Sequence, residues 1–364
     1  MQPETIVSTP LLPYLTWDLP GIGGVIKQSP EDFVVEEISA YQPSGEGDHL
    51  FLWVENRDVS AEQLTRHIAT GLNISNRDIG VAGLKDRIAI TRQYVSVPAQ
   101  CEQSIGNIES DSIQILSSAK HQNKLRTGHL KGNCFSILVR CDATNREGEA
   151  LAEPIRSLDP VQQIAEQITT RGFPNYYGQQ RFGHDGQTLA LGFDLLRGNK
   201  TPRDLPGSRR RYLLRFSLSA VQSFLFNQAL AERLTDGLLH QVLPGDVMQV
   251  SESGGIFVVE DAIREQQRFD DQEIAITGPM FGIKMKKPQG DVLKREFDLL
   301  SKNQLTLDQY REFKKLMPGT RRPYLMIPEE FQADPEPEGI RFRFTLPSGV
   351  YATTLLREFM KSGN

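Results

Sequence analysis

Ile340-Arg341-Phe342-Arg343-Phe344-Thr345-Leu346, close to the C-terminus, alternates apolar and polar residues. A period of two marks a strand with one packed and one wet face, as in an antiparallel sheet. Leu355, Leu356 and Phe359 follow at helical spacing and suit a short closing helix. The segment decides the fold because the chain before it reads otherwise. From about Asp159 the pattern is helical: Pro160 takes a first helical position behind Asp159, and Val161, Ile164, Ala165 and Ile168 line one face before Gly172. Ser219 with Gln222 opens a helix carrying Phe224, Leu225 and Leu230, and Thr306 with Gln309 opens one carrying Tyr310 and Phe313. Earlier still, strands return. Phe33 to Ile38 and Ile88 to Val97 are β-rich, and Phe135, Ile137 and Val139 alternate with Ser136, Leu138 and Arg140. Between the first two, Ser60 and Gln63 form a capping box, Leu64 and Ile68 share a face, and Gly71 reads as the stop. The simplest arrangement is an α+β protein. Its mostly antiparallel sheet comes from both chain ends, residues 1–171 and 327–364, interrupted by a mixed α/β domain inserted at 172–326.

A chain of 364 residues fits two domains, and 38% hydrophobic with 24% charged residues is ordinary globular composition. No apolar run is long enough to span a bilayer, and the stretch from Met1 to Pro13 lacks a basic region followed by an apolar one. Cys101, Cys134 and Cys141 cannot all pair with one another and do not show zinc-ligand spacing, so a reducing cytoplasm is expected. Monomer is the default expectation for assembly.

The net charge of -5 argues against indiscriminate polyanion binding, but the average hides two basic strips. Ser112 to Cys141 contains no Asp or Glu, yet carries Lys120, Lys124, Arg126, Lys131 and Arg140 with His121 and His129. Between Arg197 and Arg215 lie Lys200, Arg203, Arg209, Arg210 and Arg211 against the single carboxylate of Asp204. Such strips suit a phosphate backbone held along a defined path; the competing reading is a solvated face.

No metal or cofactor motif is present. Gly21-Ile22-Gly23-Gly24 leads into Val25 and Ile26 and not into a phosphate-binding helix, the six histidines show no ligand pairing, and no serine sits in a Gly-x-Ser-x-Gly elbow. Catalysis, if present, is therefore carboxylate chemistry. Asp86 draws attention because it follows a glycine turn, stands between Lys85 and Arg87, and precedes an apolar strand. Alone, it reads more readily as a solvent-exposed turn residue.

An ordered set of motifs supplies the context. These are Ser29-Pro30-Glu31-Asp32-Phe33-Val34-Val35-Glu36-Glu37, Ala82-Gly83-Leu84-Lys85-Asp86-Arg87, Lys131-Gly132-Asn133-Cys134-Phe135 and Pro174-Asn175-Tyr176-Tyr177-Gly178-Gln179-Gln180-Arg181-Phe182-Gly183. Phe226-Asn227-Gln228 and Leu346-Pro347-Ser348-Gly349-Val350-Tyr351-Ala352-Thr353 complete it. Together they resemble the tRNA pseudouridine synthase D (TruD) family over nearly the whole chain.

The resemblance implies a pseudouridine-synthase-like catalytic domain and a cofactor-independent enzyme that turns uridine into pseudouridine in tRNA, at position 13. It implies Asp86 as the catalytic carboxylate, Phe33 and Asn133 as contacts to the target uridine, and Tyr351 at a position where the family commonly has Phe. Lys27 falls where a basic partner of the aspartate is expected. The chemistry suits these residue types. The N1–C1′ bond breaks, the uracil turns, and C5 rejoins C1′ without net redox change. A carboxylate beside C1′ either attacks the sugar or removes the C2′ proton, and must be ionised for both. The base leaves its stack to be reached, so Phe33 and Tyr351 are expected to sandwich it while the Asn133 amide meets its polar edge. The basic strips are expected to line a cleft between the domains. Two other readings compete. One is a non-catalytic RNA-binding protein, for which Asp86 is dispensable. The other is a nucleoside or glycoside hydrolase, which needs a positioned pair of acids.

Overall fold

The structure, a computed structural model, describes residues 11–83, 85–141 and 158–361, so Leu84 of the Asp86 turn lies outside the described residues. In chain order the first strands are β1 (Phe33–Ser39), β2 (His49–Arg57), β3 (Gly80–Val81), β4 (Ile90–Pro98), β5 (Ile113–His121) and β6 (Leu130–Arg140), with α1 (Ala61–Leu72) after β2. Then come α2 (Asp159–Arg171), β7 (Phe173–Pro174), α3 (Gln187–Arg197), α4 (Arg210–Thr235), β8 (Val247–Val250), β9 (Ile256–Val258), α5 (Ala262–Asp270), β10 (Ile274–Met280) and α6 (Gly290–Lys302). The chain finishes with β11 (Thr320–Pro323), β12 (Leu325–Met326), β13 (Glu329–Glu336), β14 (Gly339–Pro347) and α7 (Ala352–Met360).

Two compact units result. The first holds the described residues of 19–170, 327–352 and 359–361, and its sheet runs β13-β14-β6-β1-β4-β2-β5, with β3 on β4. All neighbours are antiparallel except β1 and β4, which are parallel. The alternating segment near the C-terminus is β14. It joins the N-terminal strands through β6, with Phe344 opposite Phe135 and Phe342 opposite Ile137. Leu50, Leu52 and Val54 of β2 bury against Leu64 and Ile68 of α1. The Ser60–Gln63 capping box forms as expected, but α1 runs past Gly71 and ends at Asn73 in the left-handed region. Gly71 serves contact instead, because a Cβ there would lie 2.6 Å from Ile108 Cγ2.

The second unit holds residues 11–18, 171–326 and 353–358, with a sheet in the order β11-β10-β8-β9 and α3, α4 and α6 in its helical core. It takes in 11–18 and 353–358 besides the expected insertion, and Leu12 and Leu15 pack against its Tyr176, Phe226 and Leu230 cluster. The buried Glu358 carboxylate accepts hydrogen bonds from the backbone N–H groups of Leu15 and Thr16 (both 3.1 Å) and the Thr16 hydroxyl (2.9 Å), tying 353–358 to 11–18. Ser219 is also not a helix start. It sits inside α4, because Tyr212 to Phe216 already continue the helical pattern upstream.

Candidate active site

The approach to β1 is rigidly built. Ser29 and Asp32 form a reciprocal capping box around Pro30–Asp32, and the buried Asp32 carboxylate accepts two hydrogen bonds from Arg140 of β6, at 2.9 and 2.8 Å. Burial raises the Asp32 pKa, but Arg140 and the local N–H donors outweigh it and leave the carboxyl below its usual range. The charged half of this motif therefore holds the strand entry, and Phe33 follows from a fixed point.

Lys27 adopts φ 61°, a left-handed conformation that a lysine enters only when its surroundings enforce it. From there its Nζ reaches Asp86 Oδ2 at 2.8 Å and lies 4.2 Å from the centre of the Phe33 ring. The Asp86 side chain stays 49% exposed. Lys27 and Phe33, close in sequence, thus meet Asp86, 59 positions on from Lys27. Phe33 does not offer the open face expected of it: it is 2% exposed and lies beneath the Lys27 ammonium.

The β1–β6 register sets Glu37 directly opposite Asn133, so the two side chains share a sheet face. Lys85, next to Asp86, reaches between them. Its Nζ stands 3.2 Å from Glu37 Oε2 and donates to Asn133 Oδ1 at 2.7 Å. The Lys85 side chain is 7% exposed and that of Glu37 is fully buried. Burial pushes the Glu37 pKa up and the Lys85 pKa down, each opposed by the other's charge. An ammonium can only donate, so Asn133 must turn its oxygen to Lys85 and is left with its NH₂ to donate elsewhere. The turn thus buries one residue as an anchor and presents the next to solvent.

Sequence reasoning named Lys85 only as a neighbour and gave Glu37 no role. A signal was available. Glu37 continues the Phe33, Val35 face of β1, and an acid on a buried face needs a partner. Tyr351 is half-buried just before α7, past the turn in which Ser348 N–H donates to Lys131 C=O at 2.9 Å.

The basic strips divide. Lys120 pairs with Glu102 at 2.9 Å and Lys124 donates to the Arg77 carbonyl, whereas Arg126 and Lys131 are exposed. Arg210 donates to the Leu205 carbonyl at 3.3 Å, while Arg209 and Arg211 are exposed. Two motifs of the second unit interlock: the Asn227 side chain accepts from Tyr177 N–H (2.8 Å) and donates to Tyr177 C=O (2.9 Å). Their residues serve architecture. Among the described residues, no group of three or more His, Cys, Asp and Glu side chains could hold a metal ion, and no helix is long and apolar enough to cross a membrane.

With this geometry in view, the family model for tRNA pseudouridine synthase D (TruD) matches residues 12–202 and 208–359. The tRNA pseudouridine synthase D of Anaeromyxobacter dehalogenans is 39% identical over 350 residues, covering 96% of each chain. That of Thermus thermophilus is also 39% identical, covering 96% of this chain and 92% of its own. In fold, the chain resembles a crystal structure of the candidate tRNA pseudouridine synthase D of Methanosarcina mazei, with a TM-score of 0.74 at 24% identity and 96% coverage of both chains. An exposed carboxylate paired with a lysine, set in a chain that the family model matches over most of its length, leads to one assignment: the protein belongs to the tRNA pseudouridine synthase D family.

Proposed function

We propose that this chain converts uridine to pseudouridine in tRNA, at position 13, with Asp86 as the catalytic carboxylate. The observation that carries the reading is the Lys27 ammonium held between the exposed Asp86 carboxylate and the Phe33 ring. The Asp86 carboxylate attacks C1′ or takes the C2′ proton as the N1–C1′ bond breaks; as C5 then bonds to C1′, the C1′–O bond to Asp86 breaks in the first route and Asp86 returns the proton to C2′ in the second, after which the C5 proton leaves and N1 holds one. Lys27 balances the negative charge, and Phe33 forms the floor beneath it. Tyr351 supplies the ring on which the extruded base stacks. The Asn133 NH₂, aimed by Lys85, donates to a uracil carbonyl oxygen, an acceptor that cytosine lacks at C4. Arg126, Lys131, Arg209 and Arg211 are the exposed cations offered to phosphates, with Lys120, Lys124 and Arg210 partly engaged already. The protein works as a cytoplasmic monomer without metal or cofactor.

A hydrolase would need a second positioned acid, and the Glu37 carboxylate on β1 is fully buried against Lys85. The test is incubation with transcribed tRNA followed by pseudouridine mapping, for wild type and Asp86→Asn. Wild type should modify position 13. Asp86→Asn should form no product while binding tRNA within a few-fold of wild type; residual turnover above a few per cent would remove Asp86 from the chemistry.

A further inference from the structure

The start of α4 carries Arg209 at its cap and Arg210 and Arg211 in its first turn, with no acid among them. A helix N-terminus favours negative charge, so this placement opposes helix stability and calls for another reason. An aromatic pair stands beside the arginines. Tyr212 is 63% exposed, and its ring stacks on Phe216 with centres 5.6 Å apart and planes inclined by 15°. The Arg181 guanidinium lies 6.0 Å from the Phe216 ring centre, extending the stack inward, and is itself anchored to the Ser219 hydroxyl at 3.2 Å. Arg209, Tyr212, Arg215 and Phe216 recur at three- and four-residue intervals and therefore share one face of α4. Arg209, Arg211 and Arg215 are all exposed.

We propose that this face binds a single-stranded segment of RNA, one unpaired base stacking on Tyr212 and the neighbouring phosphates contacting Arg209, Arg211 and Arg215. The choice of RNA as occupant rests on the function proposed above. It also follows from the chemistry: an acidic peptide would use the guanidinium groups but has no aromatic base to lay on an exposed ring. Phe216 holds the Tyr212 ring in place, so little side-chain freedom is lost when a base arrives.

The test is equilibrium binding of the full chain to a labelled single-stranded oligouridylate, to inorganic polyphosphate and to polyglutamate across a range of salt. Tyr212→Ala should weaken oligouridylate binding by about 5- to 100-fold and leave its salt slope and polyphosphate binding unchanged. Tyr212→Phe should retain wild-type affinity. The triple variant Arg209→Gln, Arg211→Gln, Arg215→Gln should flatten the oligouridylate salt slope by about 2. Tyr212→Ala binding oligouridylate as wild type does would overturn the stacking, and an unchanged slope in the triple variant would overturn the phosphate contacts. Polyglutamate binding as tightly as oligouridylate would assign the face to an acidic protein instead. These readouts need no catalysis. A wild type that binds oligouridylate through Tyr212 but forms no pseudouridine would refute the proposed function and keep this surface, and the converse holds.

Discussion

Lys85→Met removes the cation from a pair whose carboxylate is fully buried. At an effective dielectric of about 20, unit charges 3.2 Å apart attract by about 5 kcal/mol. Stripping a buried pair of one partner typically costs about 3–5 kcal/mol, because the remaining charge has no compensation. For a unit of this size that corresponds to a fall of roughly 6–20 °C in melting temperature. The loss should depend on pH with a definite sign. Burial already raises the Glu37 pKa, and without Lys85 only the Tyr94 N–H, 3.4 Å from Glu37 Oε1, still opposes that effect. Between the ordinary carboxylate value and the raised folded value, the folded state holds a proton that the unfolded state has released. Stability therefore falls as pH rises through that window. Lys85→Met should melt lower near neutral pH and recover as the solution is acidified toward the ordinary carboxylate range. Adding Glu37→Gln should restore most of the stability by removing the orphaned charge. It should not restore turnover, since Asn133 would still lack the donor that aims its amide; a deficit on the order of 10–100-fold is expected at saturating tRNA. The assays are thermal melts monitored by circular dichroism across pH and single-turnover pseudouridine formation. A Lys85→Met variant that melts within a degree or two of wild type or gains stability as pH rises, or a double variant that turns over normally, would refute these roles for the pair.

Two shorter expectations accompany it. Tyr351→Ala should bind tRNA with modestly reduced affinity but convert it more slowly at saturation, because the ring positions an extruded base; equal losses of binding and no change in saturated rate would assign Tyr351 to simple packing. Exhaustive chelation and dialysis should leave pseudouridine formation intact, and activity lost to chelator and restored by one metal would contradict a carboxylate mechanism without metal.

Period-two alternation and β-rich composition are local properties, so β6 and β14 by the first and β1 by the second could be located from sequence, and with them a sheet made from both chain ends. The Ser60–Gln63 cap was legible for the same reason, since its partners lie three residues apart. The mid-helix position of Ser219 was not, because a capping pattern inside a long helix looks the same as one at its start. Glycine was ambiguous too: Gly71 could be a stop or a close contact, and only the approach of Ile108 decided. At the site, the resemblance carried by the ordered motifs pointed to Asp86, Phe33, Asn133, Tyr351 and Lys27. The Lys27–Asp86 pair spans 59 positions and depends on a backbone angle that no side-chain pattern announces. Nor could composition tell which basic residues are already engaged, as Lys120 is by Glu102, and which stay exposed, as Arg209 and Arg211 do. The Glu37–Asn133 juxtaposition needed the β1–β6 register, since a slip of one residue would turn Asn133 to the other face. Sequence determined which elements and chemical groups the protein has. Tertiary structure decided which groups meet, because charge pairing and burial act through distance in space and not along the chain.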